Sequence, residues 1–167
     1  MVSFTEMQHL DIRPCPKAFG FDGYGDFVNI PHNASLNLGK DNFTIALWVN
    51  FKDLTGEQVL LEKWVQKFPG STGWTLTKLE NNSLRFAMAS GGNLEINVDT
   101  APLRLRSGAW HHFAVSRHAG RVVLFQNGQV VASGMSALSL DSDSSLKLGH
   151  RGNPMIPQGL RTTADFI

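Results

Sequence analysis

The sequence predicts an all-β sandwich, and three observations carry that prediction. Apolar residues alternate with period two along most of the chain, as in strands that bury one face. Turn-forming clusters recur at the ~8–12 residue spacing of a sandwich. No window of about a dozen residues keeps the uninterrupted i, i+3, i+4, i+7 apolar spacing of an amphipathic helix.

The elements follow in order. Residues 1–17, ending "RPCPK", read as an irregular lead-in, because each proline removes a backbone donor. The sandwich then runs over 18–167. In "GFDGYGDF" the glycines are spaced G-x-x-G-x-G but lead into a strand, so they read as a tight turn and not as a dinucleotide fingerprint, which needs a following helix. "FTIALWVNF" puts Phe43, Ile45, Leu47, Val49 and Phe51 on one face and Thr44, Ala46, Trp48 and Asn50 on the other. "LRFAMA" aligns Leu84, Phe86 and Met88; "LEINV" aligns Leu94, Ile96 and Val98; "SLKLG" pairs Leu146 with Leu148. "FPGSTG", "ENNS", "SGGN", "HAG" and "SDSS" mark the turns between such runs. In "VVLFQNGQVV", Asn127-Gly128 sits between two apolar strands as a type I′ hairpin requires. The count comes to roughly ten to twelve short strands.

Composition removes several function classes. A chain of 167 residues fits one domain, and a formal net charge of +1 gives no pull toward nucleic acid or an anionic membrane. A single cysteine, Cys15, allows neither an internal disulfide nor a thiolate zinc cluster. No apolar run approaches the ~20 residues of a membrane span. The first residues lack the basic start, apolar stretch and small-residue cleavage site of a signal peptide.

Five segments in order, "AFGFDGYGDFVNIP", "NFTIALWVNF", "LLEKW" with "GWTLTKL", "GAWHHFAVSR" and "RVVLFQNGQVVASG", resemble the laminin-G-like jelly roll of the concanavalin A-like lectin and glucanase superfamily, in the branch that includes pentraxins. The similarity covers about residues 18 to 150. It implies two curved antiparallel sheets, ligands on the concave face or the rim loops, and a place outside the cell or on a particle surface. It also implies that Trp48, Trp74 and Trp110 are core. The family closes with a strand bearing an acidic pair; this chain has "GLRTTADFI", with Asp165 alone. Residues 164–167 are expected to pair with the first half of the sandwich, and the natural polypeptide to continue beyond Ile167.

The candidate chemistry can then be weighed. His111 and His112 are adjacent on a strand and point to opposite faces, so together they cannot ligate one ion; the resemblance makes them framework. The glutamates Glu6, Glu57, Glu62, Glu80 and Glu95 form no alternating acidic motif of the glucanase kind, and Glu95, Asn97 and Asp99 fall on the solvated side of their strand. Calcium is the cofactor that the resemblance implies, and the carboxylates available for it are Asp22, Asp26, Asp141 and Asp143. Trp64 with Lys63, opening an irregular segment, is the preferred ligand contact, an exposed ring being suited to stack on apolar sugar faces. A second candidate is basic: Arg104, Arg106 and Arg117, with Arg121, would pair with sulfate. The expected function is a non-catalytic carbohydrate-binding module of a larger protein or assembly, its partner a glycan or glycoprotein. The alternative is a structural or adhesion domain that meets other protein chains, as on a virion surface; a glucanase-type hydrolase stands third.

Overall fold

The computed structural model describes residues 18–23, 26–67, 70–92, 94–150 and 164–166. Among them are twelve strands and one 3₁₀ turn, Ala34–Leu36. The strands are β1 (Phe19–Gly20), β2 (Val28–Ile30), β3 (Phe43–Phe51), β4 (Gln58–Lys67), β5 (Gly70–Lys78), β6 (Leu84–Ser90), β7 (Glu95–Asp99), β8 (Trp110–His118), β9 (Arg121–Gln126), β10 (Gln129–Met135), β11 (Leu146–Leu148) and β12 (Ala164–Phe166). They form two six-stranded sheets. Sheet one has the order β1-β12-β3-β8-β9-β10 and sheet two the order β2-β11-β4-β5-β6-β7. Every pairing is antiparallel. No helix among the described residues is long and apolar enough to cross a membrane.

The period-two pattern explains the core. Leu47, Val49 and Phe51 of β3 share a buried face with Phe113 and Val115 of β8 and Val122 and Leu124 of β9. Leu61, Trp74, Leu76, Phe86, Met88 and Val98 answer them from sheet two. Both residues of the "NG" turn have positive φ, 49° at Asn127 and 78° at Gly128, as a type I′ hairpin demands.

The chain end pairs as expected: Ala164 stands opposite Phe51, and Phe166 opposite both Val49 and Phe19. This strand fills the gap between β1 and β3. Ile167 and the lead-in lie outside the described residues.

One expectation is corrected. Trp48 and Trp110 are not core. Trp48 is opposite His112 and Trp110 opposite Asn50, all on the outward face of sheet one, and both indoles are half-buried there. Trp74 alone of the three is inside. The segment carrying Asp22 and Asp26 leaves β1 in sheet one and enters β2 in sheet two. It drops Phe21 into the core.

Gly73, at φ +112°, lies so close to β4 that a Cβ there would stand 1.9 Å from the Lys63 carbonyl oxygen. Gly73→Ala is therefore expected to cost about 2–3 kcal/mol or more, from backbone strain and overpacking together. Gly56 also has positive φ, +66°, but nothing lies within 4 Å of its Cβ position, so Gly56→Ala should cost only about 1 kcal/mol. Denaturant melts of the two variants check this. Equal losses would contradict it.

Candidate functional site

The site is built on the outward face of sheet two. Directly paired residues in antiparallel strands present their side chains to the same face. The register aligns Trp64 with Gly73, Gly73 with Ala89, and Ala89 with Glu95, so one row crosses β4, β5, β6 and β7. The neighbouring row runs Lys147, Glu62, Thr75, Ala87 and Asn97. Glu62, Thr75, Ala87 and Ala89 are buried although they point away from the core; Trp64 and Lys147 are half-buried, and Glu95 and Asn97 are exposed. The accessible part of this face is thus its edge, with an indole on one side and a carboxylate on the other.

A cleft of about 290 Å³ opens beside the first row, lined by Gly70, Ser71, Ala89, Gly92, Leu94 and Glu95. It lies where the β4–β5 and β6–β7 hairpins end. The Gly91 amide donates to the Ser71 carbonyl at 2.7 Å, and a Cβ on Gly70 would fall 1.3 Å from the Gly92 carbonyl oxygen. Only glycine at position 70 allows the two tips to touch so closely. The lining is therefore rich in main-chain groups, with Ser71 and Glu95 adding polar side chains and Leu94, 57% exposed, an apolar one. Lower on the same face Arg85 holds Asp99 in a bidentate pair, at 2.9 and 2.6 Å. That pair raises the guanidinium's pKa and occupies the Asp99 carboxylate.

Trp64 is on this face; Lys63 is not. Adjacent strand residues point opposite ways, and Lys63 turns inward to 0% exposure. Its Nζ donates to the carbonyls of Ser142 and Ser144 at 2.6 and 2.8 Å. The expectation of a Lys63–Trp64 contact pair is corrected on this ground. Arg117 is corrected likewise. In phase with Phe113 and Val115, it lies at 2% exposure and donates to main-chain carbonyls of Asp41, Leu138, Leu38 and Gly39. Burial pushes its pKa down, with Asp41 and Asp141 opposing. Arg104 and Arg106 are exposed and alternate with Leu103 and Leu105, which pack on the core; Arg121 is exposed at the start of β9, so Arg117 alone leaves the basic set.

The histidines part as their phase requires. His111 is buried, and its Nε2 is 3.1 Å from the Arg106 amide, which donates to it. His112 faces outward with its ring 5.1 Å from that of Trp48. Losing this aromatic contact in His112→Ala is expected to cost about 1 kcal/mol. A calorimetric melt reads that loss; a much larger loss that zinc reverses would mean a metal site instead.

The four candidate calcium carboxylates are not brought together. Asp26 accepts from the Asp22 amide at 3.3 Å, whereas Asp141 accepts from the Gly39 amide at 3.0 Å and from the Ser139 hydroxyl at 2.8 Å. Among the described residues no three His, Cys, Asp or Glu side chains gather as a metal group. In the sequence Glu95 was weighed only as a catalytic carboxylate, not as a ligand contact, and Ser71 and the docking of the glycine tips were not singled out. Glu95 had a readable signal, its outward phase; the docking of the two tips is tertiary and had none.

Fold and face together define an antiparallel two-sheet jelly-roll domain of the laminin-G type. A laminin G family model, described as concanavalin A-like lectin/glucanases superfamily, matches residues 22–158, and the chain belongs to that superfamily. Among solved structures, it is similar to mouse laminin alpha1 chain domains LG4-5, with a TM-score of 0.66 at 17% identity over 89% of this chain and 39% of that one. A Bacteroides ovatus protein described as carbohydrate-binding gives 0.62 at 14% identity, over 89% and 41%. The CBM40 of a Ruminococcus gnavus IT-sialidase, bound to alpha2,3 sialyllactose, gives 0.55 at 16% identity, over 75% and 70%. The chain thus spans about two fifths of the first two structures. No curated protein matches the sequence.

Proposed function

We propose that this domain is a non-catalytic carbohydrate-binding module whose glycan lies along the Trp64 row and in the adjoining cleft. The observation that carries the reading is an accessible indole, Trp64, and the exposed Glu95 carboxylate in register on one face of sheet two, beside a cleft of about 290 Å³. An indole offers an apolar surface to sugar C–H faces, while the carboxylate and main-chain groups take hydroxyls. The sialyllactose-bound CBM40 and the Bacteroides ovatus protein, similar in fold, support the same class.

The carboxylates on this face support the non-catalytic half of the proposal. Glu62 and Glu95 stand on strands separated by three inter-strand steps, or about 14 Å at ~4.8 Å per step. Glycosidases need pairs ~5–5.5 or ~6.5–9.5 Å apart, and Glu62 is buried. A second reading, a domain that adheres to other protein chains, rests on a different place. β10 ends sheet one and exposes Val130 at 60% and Met135 at 65%, and an edge strand with apolar residues is a pairing surface. A glycan array probed with the chain tests the choice. Binding to a defined saccharide class supports the module; silence across the array, with self-association abolished by Val130→Lys, supports adhesion.

A further inference from the structure

The loop between β10 and β11 converges on a positive charge supplied by the chain itself. Lys63 lies at 0% exposure, and its ammonium donates to the carbonyls of Ser142 at 2.6 Å and Ser144 at 2.8 Å, with His32 Nδ1 as a third acceptor at 3.2 Å. The loop is organised to present those oxygens. The Ser142 amide donates to Asn37 Oδ1 at 3.3 Å, the Ser144 amide donates to Ser142 Oγ at 3.1 Å, and Asp141 is held by the Gly39 amide and the Ser139 hydroxyl. Burial pushes the Lys63 pKa down, while the charges of Asp143 and Asp141 oppose that push. This is the environment of a bound cation: main-chain oxygens in contact and carboxylates at longer range.

The calcium that the superfamily resemblance implies does not fit here. Calcium requires six to eight oxygen ligands. The two inward carbonyls of this loop already meet an ammonium, whose charge repels a second cation. We propose that Lys63 is an internal cation occupying the place of a metal in the 141–144 loop, so that the fold of this rim is independent of calcium. Two other cations buried among the described residues follow the same rule. Lys78 donates to the carbonyls of Leu54 and Gly56, and Arg117 to those of the 38–41 loop. In each case a long side chain on a strand fixes a loop through main-chain oxygens.

The experiment uses the full chain and Lys63→Ala. For the wild type, the melting temperature should be the same in millimolar calcium and in chelator. Amine methylation read by mass spectrometry should spare Lys63 while modifying exposed Lys40. Lys63→Ala should melt several degrees lower and regain part of that loss in propylammonium chloride, which restores the missing ammonium. Wild-type melting that rises with calcium, Lys63 labelling as fast as Lys40, or a folded Lys63→Ala that no alkylammonium restores would each overturn the proposal. Should Lys63→Ala fail to fold, the calcium titration and the labelling of the wild type decide it.

Discussion

Arg117→Leu should lower the stability of the sandwich by about 3–5 kcal/mol, because it removes a buried charge whose hydrogen-bond partners stay behind. For a domain of this size that is a fall of about 10 °C in melting temperature. The guanidinium makes four hydrogen bonds to main-chain carbonyls: Nε to Asp41 at 3.0 Å, Nη1 to Leu138 at 2.8 Å, and Nη2 to Gly39 at 2.7 Å and Leu38 at 3.3 Å. It also stands 5.0 Å over the Phe43 ring. Leucine fills part of the volume but strands those acceptors away from water. Arg117→Lys should recover only part of the loss, since one ammonium cannot span the fork's separate targets. Guanidinium melts of both variants read the effect. A leucine variant within about 1 kcal/mol of the wild type would show that the loop's carbonyls find water instead.

Trp64→Ala should weaken binding of whichever oligosaccharide the array selects by about 30-fold, the ~2 kcal/mol of a tryptophan hot spot. The indole is half-buried on the outward face of sheet two and is absent from the core cluster. Its removal should therefore cost far less stability than that of Trp74, which is 3% exposed and within that cluster. Trp48→Ala, on the outward face of the other sheet, is the matched control and should leave affinity unchanged. Isothermal titration separates the outcomes. Equal weakening by both substitutions would point to loss of folding and not of a contact.

Much of this architecture was legible because strand chemistry is written with period two. "FTIALWVNF" announced its buried face, and the structure buries Leu47, Val49 and Phe51 there. The same rule separates His111 from His112 and equally separates Lys63 from Trp64, two residues that the irregular segment after them had suggested reading as one contact. A cation on a core-facing position is stable only if a loop supplies oxygens, and the loops of 38–41 and 141–144 are distant in sequence from Arg117 and Lys63. Only the family resemblance put Trp48 and Trp110 in the core; the alternation itself sets Trp48 with Thr44, Ala46 and Asn50, opposite Leu47 and Val49, and the structure follows the alternation. The cleft was beyond reach for another reason. It depends on Gly70 touching Gly92 across two hairpins, a contact that no local pattern encodes.

Glycan is proposed to meet the outward face of sheet two at Trp64. The most direct test is an NMR titration of the chain with the array-selected oligosaccharide. Shifts are expected at the Trp64 indole N–H and at the amides of Ser71, Gly92 and Glu95, with Trp48 and His112 unmoved. Shifts confined to the outward face of sheet one, or none at saturating sugar, would contradict it.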